Sequence, residues 1–163
     1  MIVACVVSGG QTGVDRAALD AAIEVGMPYR GWCPAGGWAE DLEDPPGLLA
    51  TYPLLRETPG RDPRVRTEWN VRDSDATLVL ALGDHPGSSG TALAVRTARD
   101  LGRSCLVTRP ADLVGIHAWL DSLGGSAAAV TLNIGGPRES EEPGLYAAAR
   151  ATLEPVLTAS RQG

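Results

Sequence analysis

The stretch Ser8-Gly9-Gly10-Gln11-Thr12-Gly13-Val14-Asp15-Arg16 decides the fold. In front of it lies the apolar run Ile2-Val3-Ala4-Cys5-Val6-Val7, and behind it an alanine-rich segment with apolar residues at 14, 18, 19, 22, 23 and 25. A short apolar run bounded by glycines reads as a buried strand, and the later spacing reads as one face of a helix. The order is strand, glycine loop, helix. Such a junction lets backbone N–H groups converge on an anion, and the helix end adds a partial positive charge. A phosphate-bearing small molecule is the expected ligand. The competing reading is a tight turn that packs strand against helix.

Two common phosphate loops do not fit. A dinucleotide fingerprint needs Gly-x-Gly-x-x-Gly and an acid about twenty residues on for the ribose. Here the spacing is Gly9-Gly10-x-x-Gly13, and the second strand ends in Trp32-Cys33-Pro34 without an acid. NAD is therefore disfavoured. A Walker loop ends in Gly-Lys-Ser/Thr, whereas the chain contains no lysine and its fourteen basic residues are all arginine. That absence also removes lysine nucleophiles.

The 163 residues suit one domain, and the net charge of −6 argues against nucleic acid and acidic membranes as partners. No run is long enough to span a membrane and no cleavable leader is visible, so a cytoplasmic protein is expected. Cysteines at 5, 33 and 105 lack metal-ligand spacing, and no metal site is expected.

Along the chain, Gly26 and Pro28 end the first helix, and Tyr29 to Cys33 forms a strand that opens into Pro34-Ala35-Gly36-Gly37-Trp38-Ala39-Glu40-Asp41. Trp32 and Trp38 offer surfaces for a planar ring or for simple burial. Residues 42–61 read as a long loop with an edge strand near Tyr52-Pro53-Leu54-Leu55. Asp62-Pro63 starts a helix on which Arg66, Asn70 and Asp73 share a polar stripe, a pattern usually turned to water. Ala76 to Leu82 is a strand that ends in Gly83-Asp84-His85-Pro86-Gly87-Ser88-Ser89-Gly90-Thr91 before another helix. This repeats the opening arrangement, as a second anion site or a second wall of one site. His85 lacks a nucleophile nearby in sequence and reads as structural.

Ser104 to Thr108 is a further strand, Pro110 to Leu123 a helix, and Ala127 to Ile134 a strand ending in Asn133-Ile134-Gly135-Gly136-Pro137-Arg138. A last helix runs from about Pro143 to Thr158, with a frayed Ser-Arg-Gln-Gly tail. Alternating strands and helices imply a doubly wound α/β fold: a mostly parallel sheet of about five main strands, helices on both faces, and loops gathered along one rim.

With these loops assembled, the chain resembles the molybdenum cofactor carrier protein family. That family sits in a wider Rossmann-like superfamily with the cytokinin-activating phosphoribohydrolases. The resemblance rests on residues 8–16, Cys33-Pro34 with Ala39-Glu40-Asp41, Tyr52-Pro53-Leu54, Arg66-Thr67 with Asn70-Val71 and Asp73-Ser74-Asp75, Gly90-Thr91, and Asn133 with Gly136-Pro137-Arg138. It implies a single Rossmann-like domain over 1–163. It further implies a homo-oligomer, dimer or tetramer, that holds molybdenum cofactor and hands it to recipient molybdoenzymes without catalysis.

The implied ligand site comprises Ser8, Gly9, Gly10, Gln11, Thr12, Gly13, Arg16, Cys33, Glu40, Arg66, Asn70, Gly87, Ser88, Ser89, Gly90, Thr91, Asn133, Gly136 and Arg138. Loops 9–13 and 87–91 grip phosphate or molybdate oxygens through backbone N–H groups and the hydroxyls of Thr12, Ser88, Ser89 and Thr91. Arg16 and Arg138 balance the ligand's charge. Ala94 stands where the phosphoribohydrolases carry a catalytic glutamate, and Gly36-Gly37-Trp38 replaces basic residues common in carriers. The alternatives are a nucleotide sensor and a nucleotide or phosphoribosyl hydrolase using Asp15, Glu40 or Asp41.

Overall fold

The computed structural model describes residues 2–83, 88–124 and 129–162, and backbone alone at residues 2 and 162. Strands and helices alternate as the periodicity requires: β1 (Ile2–Val7), α1 (Val14–Glu24), β2 (Tyr29–Cys33), β3 (Leu55–Glu57), α2 (Pro63–Arg72), β4 (Ala76–Leu80), α3 (Ser89–Asp100), β5 (Ser104–Thr108), α4 (Leu113–Ser122), β6 (Ala129–Gly135) and α5 (Leu145–Gln162). Every pairing among the described strands is parallel, in the order β3-β2-β1-β6-β4-β5. The chain winds outward through β2 and β3, crosses to β4 and β5, and returns β6 between β1 and β4. The carboxyl ends of β1, β6 and β4 therefore meet where the winding reverses, the usual ligand crevice of an open α/β sheet.

Strand alternation sorts the two faces of this centre. On one face Val6, Leu78, Leu80, Leu132 and Ile134 join Ala17, Ala18, Ala21 and Ala22 of α1 and Leu153, Val156 and Leu157 of α5 in the main core. Alanines along α1 let that helix lie close to both the sheet and α5. On the opposite face Thr77, Val79 and Asn133 line a cleft instead, bordered by α2 and α3. A polar pair replaces aliphatic packing there: Thr77 lies opposite Asn133 in the register, and the Asn133 amide donates to the Thr77 hydroxyl at 3.3 Å.

Helix ends follow their sequence signals. Asp62 caps α2 by accepting from the Arg64 N–H at 2.9 Å, with Pro63 in the first turn. Gly26, in the left-handed region at φ 65°, follows the end of α1.

Two expectations shift, and others fall on residues that are not described. The expected edge strand is present as β3, displaced to begin at Leu55, and it adds to β2 as a three-residue sixth strand. The carboxyl-terminal tail is helical, because Ser160 is buried and donates to the Val156 carbonyl while Arg161 bonds the Val25 carbonyl, fixing the last turn against the end of α1. The first residues of the expected strand 127–134, and the loop residues Asp84, His85, Pro86 and Gly87, lie outside the described residues. Among the described residues, no helix is long and apolar enough to cross a membrane.

Candidate functional site

The cleft above β1, β6 and β4 has a volume of about 290 Å³. The β1–α1 loop contributes Gly9 and Gln11, the first turn of α1 contributes Asp15, α2 contributes Arg64, Arg66, Thr67 and Asn70, and the amino end of α3 contributes Ser88, Ser89, Gly90 and Thr91. Asn133, Gly135, Gly136, Arg138 and Glu141 close it from the β6 side. The two glycine loops are thus two walls of one cleft.

The polar stripe of α2 turns inward, against the expectation that it faces water. The Arg66 Nη1 donates to the Asp15 Oδ2 at 2.7 Å, with side chains only 13% and 7% exposed. Gly9 makes room for this pair, since a Cβ there would meet Arg66 Nη1 at 2.0 Å. Asn70 clasps β2 from the same helix, accepting from the Trp32 N–H at 2.7 Å and donating to the Trp32 carbonyl at 3.1 Å. Asp73, just past the end of α2, accepts from the Trp32 indole N–H at 2.7 Å. A helix face that holds Trp32 of β2 and the Asp15 carboxylate is largely withdrawn from water, with Asp73 at its partly exposed end. Its polarity serves the sheet and the cleft.

Asp15 is buried at the cleft floor, and desolvation pushes its carboxyl above the usual carboxylate range. Arg66 and the Gly136 N–H draw it back in part. The Arg66 Nε is buried with no hydrogen-bond partner among the described residues. An orphaned donor of this kind costs about 1–3 kcal/mol. Gln11 uses its Oε1 to accept from the backbone N–H groups of Thr12 and Glu40, both at 3.0 Å. Its amide N–H groups have no partner among the described residues, and the side chain lines the cleft.

The remaining loop residues are engaged with one another. Ser8 donates to the Asp15 carbonyl at 2.9 Å, and Thr12 donates to Glu40. The Glu40 Oε2 accepts from Ser140 at 2.6 Å and lies 3.9 Å from Arg138. Burial works to raise the Glu40 carboxyl, but the Ser140 and Thr12 hydroxyls outweigh it and hold it below its usual value. Arg16 turns away from the cleft lining: its Nε donates to the Gly10 carbonyl at 2.9 Å, and its two terminal nitrogens form a bidentate pair with Asp41 at 3.0 and 2.9 Å. Gly13 is the residue before α1. Cys33 is fully buried with Leu19, Leu48, Tyr52 and Leu55 in a second core, and burial pushes its thiol up to about 11. Enclosed in that core, Cys33 is not part of the cleft lining.

At α3, the Ser88 Oγ accepts from the Thr91 N–H at 3.0 Å and shares a hydrogen bond with the Thr91 hydroxyl at 2.7 Å. The Ser88 hydroxyl caps the helix. The first-turn N–H groups of Ser89 and Gly90, which no α-helix satisfies internally, are what this end offers a ligand.

Sequence reading missed Asp15 as the partner of Arg66, and missed Arg64, Arg96 and Thr77 in the lining. Asp15 lies one position before Arg16, and only the packing of α2 over Gly9 shows which of the two faces inward. Among the described residues, no group of three His, Cys, Asp or Glu side chains is placed to hold a metal. The cleft instead suits an organic anion, with the two amide N–H groups of Gln11 and an arginine-lined mouth.

The model of the Circularly permutated YpsA SLOG family matches residues 6–157. A crystal structure from Syntrophus aciditrophicus SB, bearing the name "putative molybdenum carrier protein", is similar to this chain. The two are 37% identical, the match covers 96% of this chain and 95% of that one, and the TM-score is 0.81. No curated protein sequence matches.

Proposed function

From the premise that this chain belongs to the Circularly permutated YpsA SLOG family, we propose that it is a carrier that binds molybdenum cofactor in the cleft above β1, β6 and β4. The observation that carries this reading is the convergence of two glycine loops and four arginines, Arg64, Arg66, Arg96 and Arg138, on one small cleft in a chain of net charge −6. A cationic cleft in an acidic protein concentrates an anionic ligand locally. The name borne by the similar structure supports molybdenum as part of that ligand. The cofactor's own dithiolene holds the metal, so the protein needs only to bind the organic part and its phosphate. Charge-assisted hydrogen bonds of about 1.5–3 kcal/mol each let three or four contacts retain a labile ligand that can still be released.

One observation favours a second reading. Of the three carboxylates considered for hydrolysis, Glu40 and Asp41 are held by Thr12, Ser140 and Arg16 outside the cleft lining, whereas Asp15, paired with Arg66, lines the cleft with a raised pKa. A nucleotide or phosphoribosyl hydrolase would use that carboxyl as its acid or base.

Titration of the purified chain with intact molybdenum cofactor and with AMP, followed by tryptophan fluorescence and by retained molybdenum, separates the readings. Saturation near one cofactor per chain, with no base released from AMP, is expected. Release of adenine on incubation with AMP would establish the hydrolase instead. Tight AMP binding without turnover or retained molybdenum would make the chain a nucleotide sensor.

A further inference from the structure

Charge divides the cleft. Gln11, Asp15, Thr77 and Asn133 form its inner surface and are between 1% and 6% exposed. The one carboxylate among them is matched by Arg66, so the floor is close to neutral. The mouth carries Arg64 and Arg96, both exposed, and Arg138, whose side chain is 36% exposed and lies 3.9 Å from Glu40, against the carboxylate of Glu141 in the lining.

The floor also mixes donors and acceptors. Gln11 presents its amide N–H groups. Asn133 donates to Thr77 and leaves its Oδ1 without a partner among the described residues, and the Thr77 hydroxyl, which accepts there, retains its own proton to give. Asp15 accepts from Arg66, and a carboxylate has sites for about four hydrogen bonds. Molybdate presents acceptors only, and phosphate at neutral pH keeps just one or two O–H donors beside its charged oxygens, so on this floor either brings negative oxygens against the Asp15 carboxylate and the Asn133 carbonyl oxygen. A neutral ring or sugar with N–H or O–H donors satisfies both. At about 290 Å³ the cleft lies at the small end of ligand pockets, the size for one ring system with one phosphate rather than a dinucleotide.

We infer that Asp15 is a specificity-determining residue: it accepts hydrogen bonds from the neutral, donor-bearing body of the ligand on the cleft floor, while the ligand's anionic group lies at the mouth among Arg64, Arg96 and the amino end of α3. The ligand class is a heterocycle or sugar bearing N–H or O–H donors and a terminal phosphate. Bare phosphate and molybdate are selected against. This inference rests on the proposed binding of an anionic ligand in this cleft.

Calorimetric titration of the full chain with inorganic phosphate, molybdate, AMP, GMP and molybdenum cofactor tests it. In the unmodified protein the tightest organic probe is expected to bind at least about 100-fold more tightly than phosphate or molybdate. Asp15→Asn is expected to reduce that ratio tenfold or more by weakening the organic probe, because a charged acceptor is replaced by a neutral amide that presents donors of its own. Asn133→Ala is expected to reduce it about threefold or more, which provides a second measurement if Asp15→Asn fails to fold by circular dichroism. Phosphate or molybdate binding as tightly as every organic probe would overturn the inference while leaving anion binding intact. Equal weakening of phosphate and organic probes by Asp15→Asn would also overturn it, reducing Asp15 to a support for Arg66. If no organic probe binds, the proposed function fails and the inference falls with it.

Discussion

The β1–α1 loop and the amino end of α3 carry the same kind of sequence, glycines and hydroxyl residues between strand and helix, yet use it in opposite ways. In the first loop, Ser8, Thr12 and Arg16 are all tied to backbone or to Glu40 and Asp41, and Gln11 joins Thr12 to Glu40. That loop is largely a joint which holds residues 8–16 against residues 40 and 41. At α3, only Ser88 and Thr91 are tied, to each other, and Ser89 and Gly90 are exposed along the cleft. Glycine there keeps the cleft wall low. A glycine-rich strand–helix junction is therefore not a single kind of object. What decides its use is whether neighbouring elements supply partners for its polar groups.

The largest effect should come from adding a methyl group to each loop. Gly13 sits at φ 78° and ψ −132°, and a Cβ there would lie 2.4 Å from the Pro137 carbonyl oxygen. Gly13→Ala is expected to cost about 3 kcal/mol or more in urea unfolding, from backbone strain plus the clash. A Cβ on Gly90 meets nothing within 4 Å. Gly90→Ala should leave stability unchanged or raise it by up to about 1 kcal/mol, since alanine favours a helix. Its effect belongs in ligand affinity. If the two variants were equally destabilised, the contrast between joint and cradle would be lost.

A smaller effect separates the arginines. Arg96→Ala removes an exposed cationic group from the cleft mouth and is expected to weaken binding of molybdenum cofactor about three- to tenfold without lowering the thermal midpoint. Arg16→Ala breaks the Gly10 and Asp41 contacts and is expected to lower stability by about 1 kcal/mol, because the Asp41 side of the pair is 46% exposed and screened. Measuring both quantities for both variants shows whether the cation adjoining the first loop supports the loop or the ligand.

Acid unfolding gives the finest comparison. The Arg16 hydrogen bonds hold the Asp41 carboxyl below its usual 3.8. Its contribution is therefore present above about pH 3.8 and is lost as pH falls through the lower folded value. Asp15 runs the other way: its folded pKa is raised, so acidification relieves the cost of burying its charge. Asp41→Asn is expected to lower stability slightly at pH 7 and to flatten the acid limb of the stability curve below about pH 4. An unchanged acid limb would mean that the Arg16–Asp41 pair contributes nothing.

Local pattern made most of the fold legible. The limits of β2 and β5 and the start of α1 follow from where apolar runs meet Gly, Pro and capping residues, and those signals act within a few residues of the backbone they control. Candidate loops were legible for the same reason, because glycine clusters at strand ends mark the rim of a parallel sheet. The side-chain assignments were less so. Arg66, Asn70 and Asp73 look like a solvated stripe until α2 is laid against β1 and β2, and Arg16 looks like a ligand clamp until Asp41 is brought beside it.

The sequence by itself determined an alternating α/β chain with a parallel sheet, glycine loops on one rim, arginine as its only strong base, and no lysine chemistry. Tertiary structure alone decided that β6 enters between β1 and β4, that Asp15 and not Arg16 faces the cleft, and that the tail continues as helix. The physical reason is range. Periodicity and capping are set by neighbours a turn or a strand away. The partner of a long side chain such as Arg66 is chosen by which distant segment folds over it, here Asp15, fifty-one positions earlier in the chain.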